Sequence, residues 1–374
     1  MTEASAAADP VPDQGTEVTP QRAAGLALPG VASPVTRSAT IAEIARELGV
    51  SVPTVSKVLN GRNDVAARTR ERVEEALERH QYRRRRSGVV PEGTGLVDLV
   101  FHRLGSAWSM EIIRGVEAAA AEARISVILS ELGGKHRPPQ TWLDTTIARP
   151  PLGVLLVAAN LTPAQHQLLD RRAIPYVVID TDGEPPADVA AVGSDNWNGG
   201  LVAVRHLLGL GHRRIAVITG PEDMLCSRAR VDGARSAHEE ARVPFDPSLV
   251  RSGNFYVEAG FEHGYDLLSG PDRPTAIFAG SDMQALGVLR AARELGLRVP
   301  QDVSVVGYDD LPLVSWVGPA LTTVRQPLSE MGSAATRILL DLVRGREPQV
   351  RRLSLATELV VRESTAPPAA PVRR

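Results

Sequence analysis

The sequence has little cysteine and no long apolar run. Its single cysteine, Cys226, excludes an intrachain disulfide and is compatible with a reducing compartment. Spanning a bilayer as a helix takes roughly 18 to 20 apolar residues in a row, and residues 152–161 are among the longest apolar stretches here. The opening segment, MTEASAAADP, has no basic region followed by an apolar one. We therefore expect no secretory signal, no membrane partner and a cytoplasmic location.

Motifs of catalysis and cofactor binding are also missing. The sequence has no phosphate-binding loop of the form G-x-x-x-x-G-K-[ST], no Cys/His metal cluster and no G-x-S-x-G elbow. We therefore predict no catalytic residues, no metal and no cofactor. Asp309 and Asp310 are adjacent, but paired carboxylates on a turn are common. A glycosidase needs carboxylates that face each other across a sugar, and the sequence leaves that alternative open.

Charge is unevenly distributed. The formal net charge of the chain is −2. Residues 37–86 contain 12 Lys and Arg against 7 Asp and Glu, a net charge of +5, which leaves −7 for the rest. A basic segment attached to an acidic body is expected when one end of a protein binds a polyanion.

Composition and periodicity divide the chain into five segments. Residues 1–38 are predicted to be a disordered tail, because they are rich in Ala, Pro, Thr and Gly without apolar periodicity. Three short helical patterns occupy residues 39–82, and a basic linker follows over residues 83–94. Residues 95–362 form the largest domain, and the Pro/Ala/Arg-rich residues 363–374 are predicted to be a second disordered tail.

Short apolar runs alternate with longer amphipathic runs in the largest domain. The predicted strands are residues 96–101, 125–130, 153–158, 176–180, 214–219, 276–280 and 303–308. The predicted helices are residues 110–123, 198–210, 228–241, 256–268, 284–295 and 328–343. Apolar strands alternating with helices indicate α/β architecture, with parallel sheets covered on both faces. The length favours two doubly wound lobes, which would enclose a ligand beyond the carboxyl ends of their strands.

The pattern before the linker is typical of a helix-turn-helix. Thr40 and Glu43 form a predicted capping box, Gly49 is placed to end the first helix, and Ser51 can cap the second. The residues predicted to face inward are Val55, Val58 and Leu59 in the second helix and Val73, Ala76 and Leu77 in the third. From the pattern alone, a DNA-binding motif and a three-helix bundle without a DNA partner are about equally supported.

This segment resembles the headpiece of the LacI/GalR (lactose-repressor) family. The family pattern V-S-x-x-T-V-S-[RK]-V-x-N is matched by VSVPTVSKVLN at residues 50–60, and T-R-x-R-V by TRERV at residues 69–73. The resemblance implies a three-helix helix-turn-helix headpiece whose second helix enters the major groove of double-stranded DNA. It implies phosphate contacts by Ser51, Thr54, Ser56 and Asn60, and places Val52, Pro53 and Lys57 at base edges.

Two of the three positions at base edges have no polar group. Val52 and Pro53 can only contact a thymine methyl or exclude a wrong shape. Lys57 is therefore the predicted polar contact, to a guanine edge.

The linker departs from the family. Where the family has a hinge helix with a Leu that wedges into the minor groove, this chain has Pro91 at the same spacing. The preceding arginines, which could bind the DNA backbone or a narrow minor groove, are Arg83, Arg84, Arg85 and Arg86. Val89 or Val90 could then serve as the wedge. A flexible basic linker that adds non-specific affinity is equally supported.

The largest domain resembles the same family and, more distantly, periplasmic sugar-binding proteins. The matching segments are HLLGLGHRRIA at 206–216, AGSDMQALG at 279–287, VVGYDD at 305–310 and PALTTVRQP at 319–327. The resemblance implies a two-lobed, doubly wound, periplasmic-binding-protein-like domain that binds an effector, a mono- or oligosaccharide, and forms a homodimer on a near-palindromic operator. The family's motifs indicate effector contacts by Arg230, Phe255, Ser281, Asp282 and Asp309.

Other effector candidates come from their place after strands. Trp108, after the first strand, is a further candidate for stacking on a sugar ring, and Asp180 and Asp182 are weaker candidates. Each candidate has a structural alternative. Arg230 could be a surface ion-pair partner, Asp282 a helix cap and Asp309 a turn former, but we favour binding because all three follow strands in a recognised pattern. For Trp108, Phe255 and Ser281 the alternatives stay open.

A transport-type sugar-binding protein is the competing class. Such a protein would need an export signal and would carry no helix-turn-helix. We therefore predict a DNA-binding transcriptional regulator, a repressor, whose operator affinity is controlled by its effector.

Overall fold

The computed structural model describes residues 39–59, 64–80, 82, 95–134, 136–180 and 185–369. The predicted N-terminal tail, the linker over residues 83–94, Asn60, Arg83, Arg84, Arg85, Arg86 and Asp182 lie outside the described residues. Within the described ranges, no helix is long and apolar enough to cross a membrane.

The N-terminal headpiece consists of three helices, α1 (Ile41–Leu48), α2 (Val52–Leu59) and α3 (Ala67–Arg79). The predicted capping box begins α1: Thr40 Oγ1 accepts from the Glu43 N–H, and the Glu43 carboxylate accepts from the Thr40 N–H. Gly49 ends α1 with a φ of 64°, a conformation that glycine adopts at little cost. The inward-facing residues predicted in α2 and α3 are all buried, namely Val55, Val58, Leu59, Val73, Ala76 and Leu77.

Lobe 1 is built on a six-stranded sheet. Its strands are β1 (Leu96–Phe101), β2 (Ser126–Glu131), β3 (Gly153–Val157), β4 (Tyr176–Ile179), β5 (Ala190–Ser194) and β11 (Arg352–Leu355), in the order β11-β5-β4-β3-β1-β2. Its helices are α4 (Ala107–Glu122), α5 (Gln140–Ala148), α6 (Pro163–Arg171) and α11 (Leu328–Val343).

Lobe 2 repeats this plan. Its strands are β6 (Ile215–Thr219), β7 (Val250–Ser252), β8 (Ala276–Ala279), β9 (Ser304–Asp309), β10 (Thr322–Arg325) and β12 (Glu358–Val360), in the order β12-β10-β9-β8-β6-β7. Its helices are α7 (Asn196–Gly209), α8 (Leu225–Glu240), α9 (Val257–Ser269) and α10 (Asp282–Glu294). Only β10 and β12 pair antiparallel among the described strands. The predicted pair of doubly wound lobes is confirmed.

The chain crosses between the lobes at three hinge segments, after β5, after β10 and after β11. Their side chains connect one crossing to another. Ser194 Oγ donates to Gln326 Oε1 at 2.7 Å, and Thr357 Oγ1 donates to the Asp195 carbonyl at 3.1 Å. Since β11 and α11 come late in the chain but belong to lobe 1, the lobes are not two consecutive halves of the sequence.

The predicted C-terminal tail is wrong for residues 363–369. The Glu363 N–H donates to the Ala320 carbonyl, and the Val305 N–H donates to the Ser364 carbonyl, both at 2.9 Å. His212 Nε2 lies 2.9 Å from the Ala366 carbonyl. The segment lies along lobe 2 through its backbone groups, which a Pro/Ala-rich composition does not reveal. Residues 370–374 lie outside the described part of the chain.

Candidate effector site and DNA-binding face

A cavity of about 260 Å³ lies between the two lobes, at the carboxyl ends of their strands. Lobe 1 lines it with residues that follow β1 to β4, and lobe 2 with residues that follow β6 to β8 or end β9. The lining residues are His102, Arg103, Ser106, Trp108, Gly134, His136, Ala158, Asp180, Pro221, Met224, Cys226, Arg230, Asn254, Phe255, Tyr256, Ser281, Met283 and Asp309. Of the six effector residues predicted from sequence, only Asp282 is not among them.

Arg230 is a buried cavity residue, not a surface ion-pair partner. Its Nε donates to Asn196 Oδ1 at 2.9 Å, and its Nη1 donates to the Gly280 carbonyl. The guanidinium carbon lies 3.7 Å from the centre of the Tyr308 ring, a cation–π contact. These contacts fix the guanidinium at the cavity wall.

Two buried carboxyl groups, those of Asp180 and Asp309, interact electrostatically with Arg230. Burial raises the pKa of Asp309 to about 7, while Arg230 and a hydrogen bond from Gln326 act to lower it. Burial also raises the pKa of Asp180, again opposed by Arg230. The nearby acidic groups and Tyr308 hold the pKa of Arg230 above its ordinary value despite burial. Asp180, the weaker candidate from sequence, is therefore part of this cluster.

Three non-glycine residues of the cavity have positive φ. They are Ala158 at 47°, Asp180 at 51° and Asp309 at 118°, and each lies at or just after the end of a strand. Such conformations cost about 1–3 kcal/mol each and persist only where the surrounding structure imposes them. They turn the backbone so that these residues line the cavity.

Close helix packing holds Arg230 in position. A Cβ at Gly200 in α7 would lie 2.1 Å from the Arg230 carbonyl oxygen, and a Cβ at Gly233 in α8 would lie 2.0 Å from the Trp197 carbonyl oxygen. The two backbones therefore touch, and α8 presents Arg230 at a depth that any larger residue at Gly200 would change.

An apolar wall faces the polar cluster. Trp108, near the start of α4, and Met283, in α10, both line the cavity. Phe255 lines it too and also packs against Ala158, Met224 and Cys226. Phe255 is thus both a wall of the cavity and a core residue.

Ser281 and Asp282 follow β8 but have different surroundings. Ser281 lines the cavity, yet its hydroxyl caps α10 by accepting from the Gln284 N–H and donates to the Phe255 carbonyl. The prediction for Asp282 needs correction. Its side chain is fully buried and accepts from Thr323 Oγ1 at 2.5 Å and the Leu311 N–H at 2.7 Å. Both carboxylate oxygens therefore join α10 to neighbouring segments of lobe 2.

Two histidines of the cavity were not among the residues predicted from sequence. The rings of His102 and His136 stack with centres 4.7 Å apart. Burial, together with the nearby His136 and Arg103, lowers the pKa of His102 to about 4, so its imidazole is neutral at neutral pH. Their only sequence signal is that each follows a predicted strand, which many non-functional residues also do.

The outer face of α2 has the exposure predicted for a recognition helix. Val52 is 46% exposed, and Ser51 and Pro53 are exposed as well. Ser51 caps the helix, since its Oγ accepts from the Thr54 N–H at 3.2 Å and lies 2.8 Å from Thr54 Oγ1. Thr54, Ser56 and Lys57 are half-buried.

Lys57 is ion-paired. Its Nζ lies 2.6 Å from Asp64 Oδ2. An exposed pair of this kind contributes at most about 1 kcal/mol, so it can be exchanged for another partner at small cost.

Known proteins share both parts of this chain. Residues 40–85 match the model of bacterial regulatory proteins of the lacI family, and residues 204–365 match the periplasmic binding protein-like domain. The chain is 32% identical over 337 residues to the HTH-type transcriptional repressor CytR of Escherichia coli K12, covering 88% of this chain and 96% of CytR.

Solved structures agree with these matches. The complex of the transcriptional regulator CelR with cellobiose has 35% sequence identity and a TM-score of 0.67, covering 87% of this chain and 99% of CelR. The lac repressor dimer bound to operator and the anti-inducer ONPF has 28% identity and a TM-score of 0.64, and the match covers 88% of this chain and 100% of the repressor chain.

A helix-turn-helix headpiece followed by two lobes around a ligand cavity defines a class of DNA-binding regulators controlled by small molecules. This chain belongs to the LacI family of bacterial regulatory proteins. It is a transcriptional repressor with an effector-binding domain and not an enzyme, as the sequence predicted.

Proposed function

We propose that the chain represses transcription as a homodimer and that a saccharide in the interlobe cavity changes its affinity for a near-palindromic operator. The observation that carries this proposal is the cavity, which is lined by a fixed arginine, two neighbouring acidic side chains and an apolar wall. Since its partner is chromosomal DNA, the protein would work in the cytoplasm.

The chemistry of the cavity suits an uncharged polyol. Sugar hydroxyls need planar hydrogen-bonding groups, and the C–H face of the ring needs an aromatic or apolar surface. The planar hydrogen-bonding groups are those of Arg230, Asp309 and Asn254. The aromatic surfaces are the rings of Trp108 and Phe255. Because Asp180 and Asp309 lie in the same cavity as Arg230, a phosphate would meet two acidic groups beside the guanidinium, which disfavours it against an uncharged ligand. CelR, solved with cellobiose, makes that disaccharide the first compound to test.

Hydrogen bonds connect the cavity to the hinge segments. Gln326 Nε2 donates to Asp309 Oδ1 at 2.7 Å, and its Oε1 accepts from Ser194 Oγ at 2.7 Å. A ligand that moves Asp309 therefore acts directly on two crossings between the lobes. Closure would rotate the lobes and change the spacing of the two headpieces through the linker. The change in the free energy of operator binding cannot exceed the difference between the effector's binding free energies for the two conformations.

An apolar surface on lobe 1 supports a homodimer. Strand β2 lies at the outer edge of the sheet, where Leu129 is 47% exposed on the face toward α4, and Met110 of α4 is 55% exposed. Ile128, on the opposite face of the same edge strand, is 42% exposed. Exposed apolar residues on an edge strand favour association with a second copy. We expect Leu129→Glu to give monomers by light scattering and to weaken operator binding at least tenfold, whereas Leu129→Met stays dimeric. A Leu129→Glu dimer would contradict this surface.

A two-stage measurement tests the effector. First, the thermal unfolding of the full chain is followed with mono- and disaccharides, cellobiose included. A ligand at 100 times its Kd stabilises the protein by about 2.7 kcal/mol, a readily detected shift. Arg230→Gln should abolish that shift, whereas Arg290→Gln, on the exposed side of α10, should not.

The second stage is an operator gel shift with and without each saccharide that stabilises the protein. Operator affinity should change with saturation of the site. If a saccharide saturates the protein and leaves operator binding unchanged, effector control of this kind is ruled out.

A further inference from the structure

Arg103 and Tyr256 face each other across the effector cavity. The guanidinium carbon of Arg103, in the loop after β1, lies 5.1 Å from the centre of the Tyr256 ring, just before α9. This distance is within the range of a cation–π interaction. Arg103 belongs to lobe 1 and Tyr256 to lobe 2, and both line the cavity. The contact therefore bridges the two lobes.

The order of the strands puts this contact far from the hinge segments. The hinges follow β5, β10 and β11, at one edge of each sheet. Arg103 follows β1, next to the opposite edge strand β2, and Tyr256 follows β7, the opposite edge strand of lobe 2. At that distance from the hinges, a small rotation of one lobe separates the two side chains by several ångströms. The contact can therefore exist only when the lobes are closed.

Both partners are held in place by their own lobe. The Tyr256 N–H donates to Asn254 Oδ1 at 3.0 Å, which fixes the start of α9. The Arg103 carbonyl accepts from Ser109 Oγ at 3.3 Å. Gly134, whose φ of 82° favours glycine, lies beside the guanidinium, since a Cβ there would be in van der Waals contact with Arg103 Nη2 at 3.4 Å. Within the described ranges, Arg103 forms no ion pair with a carboxylate, so the Tyr256 ring is its main interaction across the cleft.

We propose that Arg103 and Tyr256 form a latch that holds the lobes closed and sets the fraction of ligand-free protein in the closed conformation. Weakening the latch shifts the population toward the open form and lowers the apparent effector affinity, because fewer molecules are competent to bind. The consequence for operator affinity rests on the proposed function, whereas the latch itself does not.

The reactivity of Cys226 can measure the opening of the lobes in the absence of any effector. It is the only cysteine of the sequence, is 3% exposed and lines the cavity. A thiol reagent such as DTNB, added to the full chain, reaches Cys226 when the lobes separate. When closing is fast compared with labelling, the labelling rate is proportional to the open fraction.

Arg103→Gln and Tyr256→Leu should each raise the labelling rate about two- to five-fold, as expected for one partly exposed cation–π contact. The double variant should label no faster than the faster single one, because both changes remove the same contact. Tyr256→Phe and Arg103→Lys keep a ring and a cation, so both should label near the parental rate. The matched control is Arg290→Gln, since Arg290 makes the same contact with Phe261 at 4.7 Å within lobe 2 and away from the cavity.

Unchanged labelling of Arg103→Gln would overturn the latch. Equal acceleration by Tyr256→Phe and Tyr256→Leu would overturn it as well, since the ring would then be irrelevant. Fully additive effects in the double variant would show that the two changes act independently on packing, and this outcome too would overturn the latch. Because the assay uses neither saccharide nor operator, these outcomes are distinct from a failure of the effector screen.

Discussion

Arg230 is immobilised before any ligand binds. Asn196, Gly280 and Tyr308 each contact its guanidinium, and Asp309 and Asp180 lie close enough to favour its charged form. Ordering a free arginine side chain on binding costs up to about 2 kcal/mol, and that cost is already met during folding. The site is therefore preorganised around a fixed guanidinium, and burial raises the pKa of both neighbouring carboxyl groups.

The elevated pKa of Asp309 predicts a pH-dependent stability. With a pKa of about 7 in the folded protein and near 4 in the unfolded chain, Asp309 stabilises the fold when protonated at low pH. That contribution is lost as the pH rises through 7. Asn mimics the protonated form, so Asp309→Asn should gain roughly 2–3 kcal/mol of stability relative to the parent between pH 5 and pH 8.

Thermal unfolding of both proteins at the two pH values measures this difference, and titrating groups common to both cancel. Asp302→Asn is the control, because pairing with Arg298 holds the pKa of Asp302 at about 2 and it stays ionised throughout. If the stability difference between the parent and Asp309→Asn is the same at pH 5 and pH 8, burial does not raise the pKa of Asp309.

At the scale of elements, the packing of α7 on α8 is the critical contact of the effector site. The two helices approach so closely at Gly200 and Gly233 that their backbones touch. In an isolated helix, alanine in place of glycine would be favourable by about 1 kcal/mol. Packing reverses that preference here.

Gly200→Ala should therefore destabilise the protein by about 1–3 kcal/mol, because its methyl group would lie 2.1 Å from the Arg230 carbonyl oxygen. For a domain of this size, each kcal/mol lowers Tm by roughly 2–4 °C. The helices must move apart, so saccharide affinity should fall as well. Gly209→Ala is the matched control in the same helix, since its methyl group would meet no atom within 4 Å. Equal Tm values for the two variants would contradict close packing at Gly200.

At the scale of the whole molecule, we predict that specificity and affinity for DNA are divided between α2 and the linker. Of the three positions in α2 that are predicted to face base edges, only Lys57 has a polar side chain, and four arginines follow in the sequence at residues 83–86. A base contact selects sequence, whereas a phosphate contact strengthens binding to every sequence.

Lys57→Ala should therefore reduce discrimination between operator and mutated operator by about 1–3 kcal/mol. Replacing residues 83–86 by Gln should instead weaken binding to all DNA and flatten its salt dependence, by about 0.9 in log–log slope for each phosphate that is no longer neutralised. Titrations of operator and unrelated DNA at several salt concentrations separate the two effects. If the four-fold Gln variant binds like the parent at every salt concentration, the linker is only a tether.

The sequence was sufficient wherever a local rule decides structure. The capping box at Thr40, the glycine end at Gly49 and the apolar stripes of α2 and α3 use neighbouring residues, and all are present. Buried parallel strands such as β1 and β9 are continuous apolar runs, so their positions were predicted within a residue or two. The short strands β5, β7, β10, β11 and β12 were missed, because they are too short or too polar to show a pattern.

Tertiary structure alone decided what the strand ends bring together. The sequence indicates that Arg230, Asp282 and Asp309 follow strands, but not that Asp282 turns inward to Thr323 and Leu311 while Asp180 turns to the cavity. Contacts such as Arg103 with Tyr256 join residues more than 150 positions apart, across two lobes whose segments are interleaved along the chain. Local sequence thus determined the elements and the class of protein. Long-range packing determined the site, because a side chain's neighbours across a cleft leave no periodic trace in the sequence.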